Sequence, residues 1–311
     1  MTKTVIAIMG PTAVGKTKLG IEIAKQYNGE IISGDSMQVY KGMDIGTAKV
    51  RKEEMQGVPH HMIDIKNPDE EFSAADFQFY VQKYIDEIIS RNRLPIIVGG
   101  SGLYIQAALY DYNFSGQKRD DSVTIRLERV IEKEGIMPLY YRLNELDPEQ
   151  AEKIHPNNHR RVVRALEIYE TTGMTMTAYQ QEQALKSPYN LILIGLEMER
   201  GLLYERINQR VDMMLENGLV DEVKKMYDRG FGKYQSMGAI GYKEFIPYFK
   251  NEQSLDHSID LLKRNSRRYA KRQYTWFKNK MDIRWYDLKS GGVNERFRII
   301  FDDLAGLLKL K

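Results

Sequence analysis

Residues 10–17 read Gly10-Pro11-Thr12-Ala13-Val14-Gly15-Lys16-Thr17, and no other stretch restricts the possible fold as tightly. The apolar run Val5-Ile6-Ala7-Ile8-Met9 precedes it, and a helix-like stretch follows from Lys18. A strand, a glycine-rich turn and a helix in that order form a phosphate-binding loop. Gly10 and Gly15 let backbone N–H groups converge on one point. The helix N-terminus adds partial positive charge, Lys16 adds a full one, and the Thr17 hydroxyl stands where Mg²⁺ would be ligated. The implied ligand carries a diphosphate or triphosphate. The loop alone leaves open whether phosphate is transferred or departs.

The first hundred residues alternate strand and helix signals, as a parallel α/β sheet requires. Strands are predicted over 5–9, 30–33 and 95–100. The last holds Ile96-Ile97-Val98, apolar toward both faces. One helix is predicted over 17–27, ended by Gly29. A second runs over 72–91, capped by Ser73, with Ala74, Phe77, Val81, Ile85 and Ile88 at helical spacing. From 115 to 187 strand signals vanish, and Gly135, Pro138, Pro148, Pro156 and Gly173 punctuate short helical segments. The clearest, 158–172, puts Val162, Ala165, Leu166 and Tyr169 on one face and Arg160, Arg164 and Glu167 on the other. The strand pattern resumes over 190–195 and is expected to rejoin the first sheet. The expected fold is α/β: a P-loop NTPase-like parallel sheet flanked by helices, over 1–114 and 188–311, with an inserted all-helical domain over 115–187.

Composition narrows the chemistry. The chain of 311 residues has no cysteine, which removes disulfides, thiolate catalysis and Cys-based zinc sites. Its five histidines show no metal-ligand spacing. No apolar run approaches the roughly 20 residues that cross a bilayer, and one lysine before a five-residue apolar run does not make a signal peptide. A cytoplasmic protein without a membrane partner is expected, with a monomer as its assembly. The net charge is only +3, so any polyanionic partner must meet a local basic patch.

Four places carry candidate chemistry. Asp35 follows the second strand, in Ser33-Gly34-Asp35-Ser36-Met37-Gln38-Val39-Tyr40. Ligands of open α/β sheets bind at the strands' carboxyl ends, so Asp35 faces the phosphate loop as general base, metal ligand or plain turn residue. The third strand ends in Gly99-Gly100-Ser101-Gly102, where many P-loop ATPases carry an aspartate. That argues against a motor-type NTPase and leaves nucleotide kinases and other diphosphate users open. Segment 199–227 reads as one amphipathic stretch with Leu203, Ile207, Val211 and Met214 in its stripe. Arg206 and Arg210 stand one turn apart, either solvated or reaching a phosphate. Segment 257–285 holds nine lysines and arginines against two aspartates. Arg264, Arg267, Arg268, Lys271 and Arg272 fall on one side of a helix, and Leu262, Tyr269 and Trp276 on the other as anchors. Such a stripe is an electrostatic footprint for nucleic-acid phosphates, or else a solvated face. His60 and His61 precede Met62-Ile63-Asp64-Ile65, which resembles an edge strand, and are expected to be structural.

Taken in order, these segments resemble the bacterial-type tRNA dimethylallyltransferases, also called tRNA isopentenyltransferases. The resemblance rests on the phosphate loop and on 35–40 continuing into Lys41-Gly42-Met43-Asp44-Ile45-Gly46-Thr47-Ala48-Lys49. It extends to Gly99-Gly100-Ser101-Gly102-Leu103-Tyr104 and His159-Arg160-Arg161-Val162-Val163-Arg164-Ala165-Leu166-Glu167. Ile240-Gly241-Tyr242-Lys243-Glu244 and Lys271-Arg272-Gln273-Tyr274-Thr275-Trp276-Phe277 complete it. Ser101 stands where members often have threonine, and Val39 is at a variable place. The resemblance implies transfer of a dimethylallyl group from dimethylallyl diphosphate to N6 of the adenine next to the anticodon, position 37, in tRNAs reading codons that begin with U. It makes the Gly10–Thr17 loop the diphosphate clamp, with Mg²⁺ on Thr17. Asp35 becomes the general base, and Arg210 rather than Arg206 the aid to diphosphate departure. Ser36, Met37, Gln38 and Ser101 would hold the flipped base and its neighbours. Arg160, Arg164, Arg267, Arg268, Lys271 and Arg272 would grip the anticodon stem-loop. Three rivals differ in chemistry. A small-molecule or nucleoside kinase would consume ATP, and an RNA-binding module would merely sense nucleotide. An adenylate prenyltransferase would need neither the insertion nor the basic helix.

Overall fold

The computed structural model describes residues 3–309 apart from 111, 113, 115–120, 183–185 and 289–292. Six strands form one sheet: β1 (Thr4–Met9), β2 (Gly29–Gly34), β3 (His60–His61), β4 (Leu94–Gly99), β5 (Asn190–Glu197) and β6 (Arg284–Asp287). Their order is β3-β2-β4-β1-β5-β6, and every pairing is parallel. All carboxyl ends therefore open on one edge. The order turns back on itself at β1, which lies between β4 and β5, and this is where such sheets bind ligands. Among the described residues no helix is long and apolar enough to cross a membrane.

The strands are apolar because both faces are covered. In β1, Val5, Ala7 and Met9 enter one hydrophobic cluster and Ile6 and Ile8 another. The period of two divides one strand between two cores. The helices, in chain order, begin with α1 (Lys16–Gln26), α2 (Lys52–Met55), α3 (Ala74–Ser90) and α4 (Gly102–Leu109). Leu19, Ile21 and Ile23 of α1 join the cluster of Ile6 and Ile8. Phe77, Val81, Ile85 and Ile88 of α3 join the other. Ser73 caps α3 as expected, accepting from the Asp76 N–H, while Asp76 accepts from the Ser73 N–H at 2.8 Å. The expected return of 190–195 to the sheet is found: Thr4 to Met9 pair in register with Asn190 to Gly195.

The chain divides into two compact units, Met1–Asp111 with Ser187–Lys311, and Tyr112–Lys186. The insertion start expected at 115 lies outside the described residues. The second unit is entirely helical in its described part: α5 (Asp121–Glu134), α6 (Met137–Leu146), α7 (Pro148–Glu152), α8 (His159–Thr172) and α9 (Met176–Glu182). Its own core gathers Leu127, Leu139, Leu143, Val162 and Leu166.

The first unit continues with α10 (Arg200–Glu216), α11 (Leu219–Asp228), α12 (Ile246–Phe249), α13 (Leu255–Lys280) and α14 (Val293–Lys309). Four sequence expectations change here. Gly29 does not end α1 but opens β2, since Tyr27 already caps the helix. The single amphipathic stretch over 199–227 is two helices, because the chain turns at Asn217-Gly218. The edge strand is His60–His61 itself, not 62–65, and Ile31 and Ile32 fix its register. Glu167, expected on the polar face of α8, is only 2% exposed, and Tyr169 is half-buried while Val163 and Ile168 take core positions. Glu167 is paired to the Arg164 guanidinium at 2.7 Å, which lets a carboxylate occupy an inward position.

Candidate active site

The phosphate loop joins β1 to α1 at the carboxyl edge of the sheet. Gly15 opens α1 with φ of 108°, and Ala13 beside it has φ of 66°. Left-handed residues alternating with ordinary ones point successive N–H groups inward, the arrangement that receives anions. The loop is also bonded within itself and to α13. The Lys16 ammonium donates to the carbonyls of Gly10 (3.0 Å) and Pro11 (2.7 Å). The Thr12 N–H donates to the side-chain oxygen of Gln273 on α13 at 2.8 Å. Burial pulls the Lys16 ammonium down to about 7, the neighbouring Arg210 pushes the same way, and Asp35 opposes both. Thr17 is exposed in the first turn of α1.

Asp35 leaves the end of β2 next to this loop. One of its carboxylate oxygens accepts from the Met37 N–H at 2.8 Å. Burial pushes its carboxyl above the usual carboxylate range. The Met37 and Gln38 N–H groups, Lys16 and Arg210 hold it back. Arg210, on α10, feels the converse: burial lowers its guanidinium and Asp35 supports its charge. Lys16, Asp35 and Arg210 thus form one electrostatic group.

Asp35 and Arg210, with Thr12 of the phosphate loop, line a cavity of about 330 Å³ in the first unit. Thr12, Asp35, Ser36, Arg210, Tyr269 and Arg272 are among its polar lining residues. Ile207, Val211, Met214, Ala239, Ile240 and Leu262 give it an apolar wall. Gly46, Thr47 and Ala48 close another side, and that loop is pinned from three directions. The Glu222 carboxylate accepts from the N–H groups of Asp44 (3.0 Å), Ile45 (2.8 Å) and Gly46 (3.0 Å). The buried Lys49 ammonium donates to Asp44, Asp64 and the Tyr40 carbonyl. The Gln38 amide donates to the carbonyls of Thr47 (3.2 Å) and Ala48 (3.4 Å).

The expected site residues fall into three groups. Asp35, Ser36, Met37, Arg210 and Arg272 reach the cavity, while Arg206 is half-buried and does not line it. Gln38 and Ser101 stand behind the cavity surface. The Ser33 hydroxyl donates to the Gln38 amide oxygen at 2.8 Å. The Ser101 hydroxyl, in a residue only 6% exposed, accepts from the Ser36 N–H at 3.0 Å. Arg160 and Arg164 are exposed on α8 in the second unit. Along α13, Arg264, Arg268, Lys271 and Arg272 are exposed, but Arg267 is half-buried and donates to the Asn208 side chain of α10 at 2.6 Å. Arg267 therefore joins two helices as well as contributing charge.

Tyr269 departs from its expected role. It is not a core anchor like Leu262 but a cavity residue whose phenol faces Ser101, Gln273 and Arg272. Burial, and then Asp35, push its phenol up to about 12, so it stays protonated. Helical periodicity set it on the inward side correctly. Only the passage of α13 over the strand ends turns that side into a site wall. Glu222 and Gln273 carried no sequence signal of this kind. The histidines are structural as expected: the His61 ring meets Glu30 at 2.6 Å, and Glu30 also binds Arg91 and Arg93. Among the described residues no group of three His, Cys, Asp or Glu could hold a metal alone.

The family model described as IPP transferase matches residues 38–280. A protein of Oceanobacillus iheyensis named tRNA dimethylallyltransferase is 62% identical over 100% of this chain and 99% of its own length. One of Bacillus cytotoxicus with the same name is 54% identical over 99% of this chain and 96% of its own length. The crystal structure of a tRNA isopentenylpyrophosphate transferase from Bacillus halodurans superposes with a TM-score of 0.76. It is 51% identical, over 99% of this chain and 97% of that one. A eukaryotic dimethylallyltransferase captured acting on tRNA gives a TM-score of 0.81 at 32% identity, over 98% of this chain and 80% of that one. The chain belongs to the IPP transferase family, that of the bacterial-type tRNA dimethylallyltransferases.

Proposed function

We propose that the Gly10–Thr17 loop holds the diphosphate of dimethylallyl diphosphate while Asp35 takes the proton from the attacking adenine N6. The enzyme is a prenyltransferase that moves a dimethylallyl group onto tRNA. The new bond joins N6 to C1 of the dimethylallyl group. The C1–O bond breaks, and its electron pair leaves with the diphosphate. N6 is a weak nucleophile because its lone pair is delocalised into the ring, so removal of its proton by a positioned carboxylate assists attack. Burial raises the Asp35 carboxyl and makes it a better base than a solvated aspartate, while Lys16 and Arg210 limit that rise. The same two cations, with the loop N–H groups, meet the charge that develops on the leaving diphosphate.

The observation that carries this reading is the mixed polar and apolar lining of the cavity. A diphosphate fits beside Thr12 and Arg210, and a hydrocarbon fits against Val211, Met214, Ile240 and Leu262. A kinase has no use for the second. Burying five carbons there is worth about 4 kcal/mol at about 0.8 kcal/mol per methylene-sized group. The dry wall also shields developing positive charge at C1 from water.

The exposed Thr17 hydroxyl on the first turn of α1 fits a Mg²⁺ ion, which keeps several waters and relies on substrate phosphates rather than on an all-protein cage. Such an ion would neutralise diphosphate charge. Adenine 37 must leave the anticodon stack to meet Asp35, at a cost of a few kcal/mol. In this reading Ser36 and Met37 meet the extruded base, Gln38 and Ser101 hold the turn behind it, and Arg268, Lys271 and Arg272 take RNA phosphates. Arg160 and Arg164, in a helical insertion over 115–187, take others. The substrates are tRNAs reading codons that begin with U, and the enzyme works as a cytoplasmic monomer. Incubation with carbon-labelled dimethylallyl diphosphate and unmodified tRNA should place label on adenine and release free diphosphate. Label entering RNA only from ATP would overturn the reading.

A further inference from the structure

Gln273 lies on the buried face of α13 and is 5% exposed. Its side-chain oxygen accepts from the Thr12 N–H at 2.8 Å, and its NH₂ donates to the Gly100 carbonyl at 3.1 Å. One amide therefore spans the phosphate loop after β1 and the glycine turn after β4. The fit leaves no slack: a Cβ at residue 100 would stand 2.0 Å from the Gln273 nitrogen and 3.5 Å from the Gly10 carbonyl. A side chain at residue 100 would therefore displace the Gln273 amide from this position. The two bonds also need an amide and no other group. The Thr12 N–H wants an acceptor and the Gly100 carbonyl wants a donor, and only Gln supplies both at this length without charge.

We propose that Gln273 is a positioning residue for diphosphate binding, fixing the Thr12 peptide and the Gly100 turn against α13 so that the loop keeps its anion-receiving shape. Leaving the buried Gly100 carbonyl unpaired would turn a bare acceptor toward the anion, and freeing Thr12 would let the loop sample other conformations. A carboxylate in its place accepts from Thr12 but faces the Gly100 carbonyl with a second oxygen and brings negative charge beside the diphosphate. The proposal rests on the assignment of the diphosphate to the Gly10–Thr17 loop.

The test compares Gln273→Met, which keeps the length and loses both bonds, with Gln273→Glu. Both should raise KM for dimethylallyl diphosphate by about tenfold or more, the worth of about 1.4 kcal/mol of lost bonding, with Gln273→Glu the worse at neutral pH. Dissociation constants for tRNA should stay within about twofold. Inorganic diphosphate binding by Gln273→Glu should recover relative to Gln273→Met as the pH falls through the carboxyl titration, since a protonated Glu again donates to Gly100. KM unchanged in both variants would overturn the proposal. So would parallel losses of diphosphate and tRNA affinity, or a Glu-to-Met ratio that does not move with pH. Lys16→Ala separates the two assignments. If it leaves KM for dimethylallyl diphosphate unchanged, the loop assignment itself is wrong. If it raises KM while the Gln273 variants match wild type, only the role of Gln273 is wrong.

Discussion

The Tyr242 hydroxyl donates to the Glu222 carboxylate, and the ring of the same tyrosine fills the space beside Gly46, where a Cβ would stand 2.4 Å from it. Glu222 also accepts from three consecutive N–H groups of the 44–46 loop, so one carboxylate and one phenol set a whole cavity wall. Removal of the carboxylate leaves three donors without their acceptor. Glu222→Ala is expected to destabilise the fold by about 2–4 kcal/mol and to lower kcat/KM, whereas Tyr242→Phe removes one bond and costs about 1 kcal/mol. Denaturant unfolding with parallel steady-state kinetics checks both. A Glu222→Ala protein as stable as wild type would refute the clamp.

Lys16 makes the next expectation one of protons. Its folded value of about 7 lies below the ordinary lysine value of 10.5. Between these the unfolded chain binds more protons than the folded one, so stability contributed through Lys16 rises with pH across that window and is lowest below it. A bound diphosphate reverses the sign by drawing the ammonium back up. Diphosphate binding at about pH 8 should therefore take up about one proton, diminishing toward pH 6. Calorimetric titration in buffers of different ionisation enthalpy reads this directly, and proton release at pH 8 would contradict it.

The acid limb of the rate profile belongs to Asp35. Because burial raises its carboxyl, kcat/KM is expected to fall on acidification from a point above the ordinary carboxylate range. A limb at or below the ordinary value would mean that the base is another group or is solvated.

The basic helix separates two kinds of arginine. Arg268→Glu and Lys271→Glu remove exposed charge and should weaken tRNA binding, each lowering the slope of log affinity against log salt by about one. Arg267→Ala also breaks the bond to Asn208 and should reduce thermal stability, which the two exposed variants should not. Filter-binding titrations across salt, with melting curves, distinguish the cases.

Much of this arrangement was legible in the chain. The loop at 10–17 and the period-two burial of β1 announce themselves locally, because a turn needs its glycines and a doubly covered strand needs apolar residues throughout. Asp35 followed from topology, since it ends a strand of the sheet that carries the loop. What the chain withheld depends on which elements come to lie over the strand ends. Tyr269 and Gln273 look like ordinary inward residues of an amphipathic helix until α13 passes across the loop. Gln38 looks like a base reader, yet its amide is engaged by Ser33 and the 47–48 carbonyls. The apolar wall drew on α10, α13 and the 239–240 turn, three segments far apart in sequence. The break at Asn217-Gly218 was visible only as a glycine inside an otherwise continuous stripe.

The central claim is that Asp35 acts on the proton of N6 while other groups bind the substrates. The most direct measurement is the single-turnover rate of prenyl transfer by Asp35→Asn with both substrates saturating, beside the tRNA dissociation constant of the same protein. The rate should fall by about 100-fold or more, the low end for loss of a general base, with the dissociation constant changed by less than about threefold. A rate within about threefold of wild type, or a fall in rate matched by a fall in tRNA affinity, would contradict it.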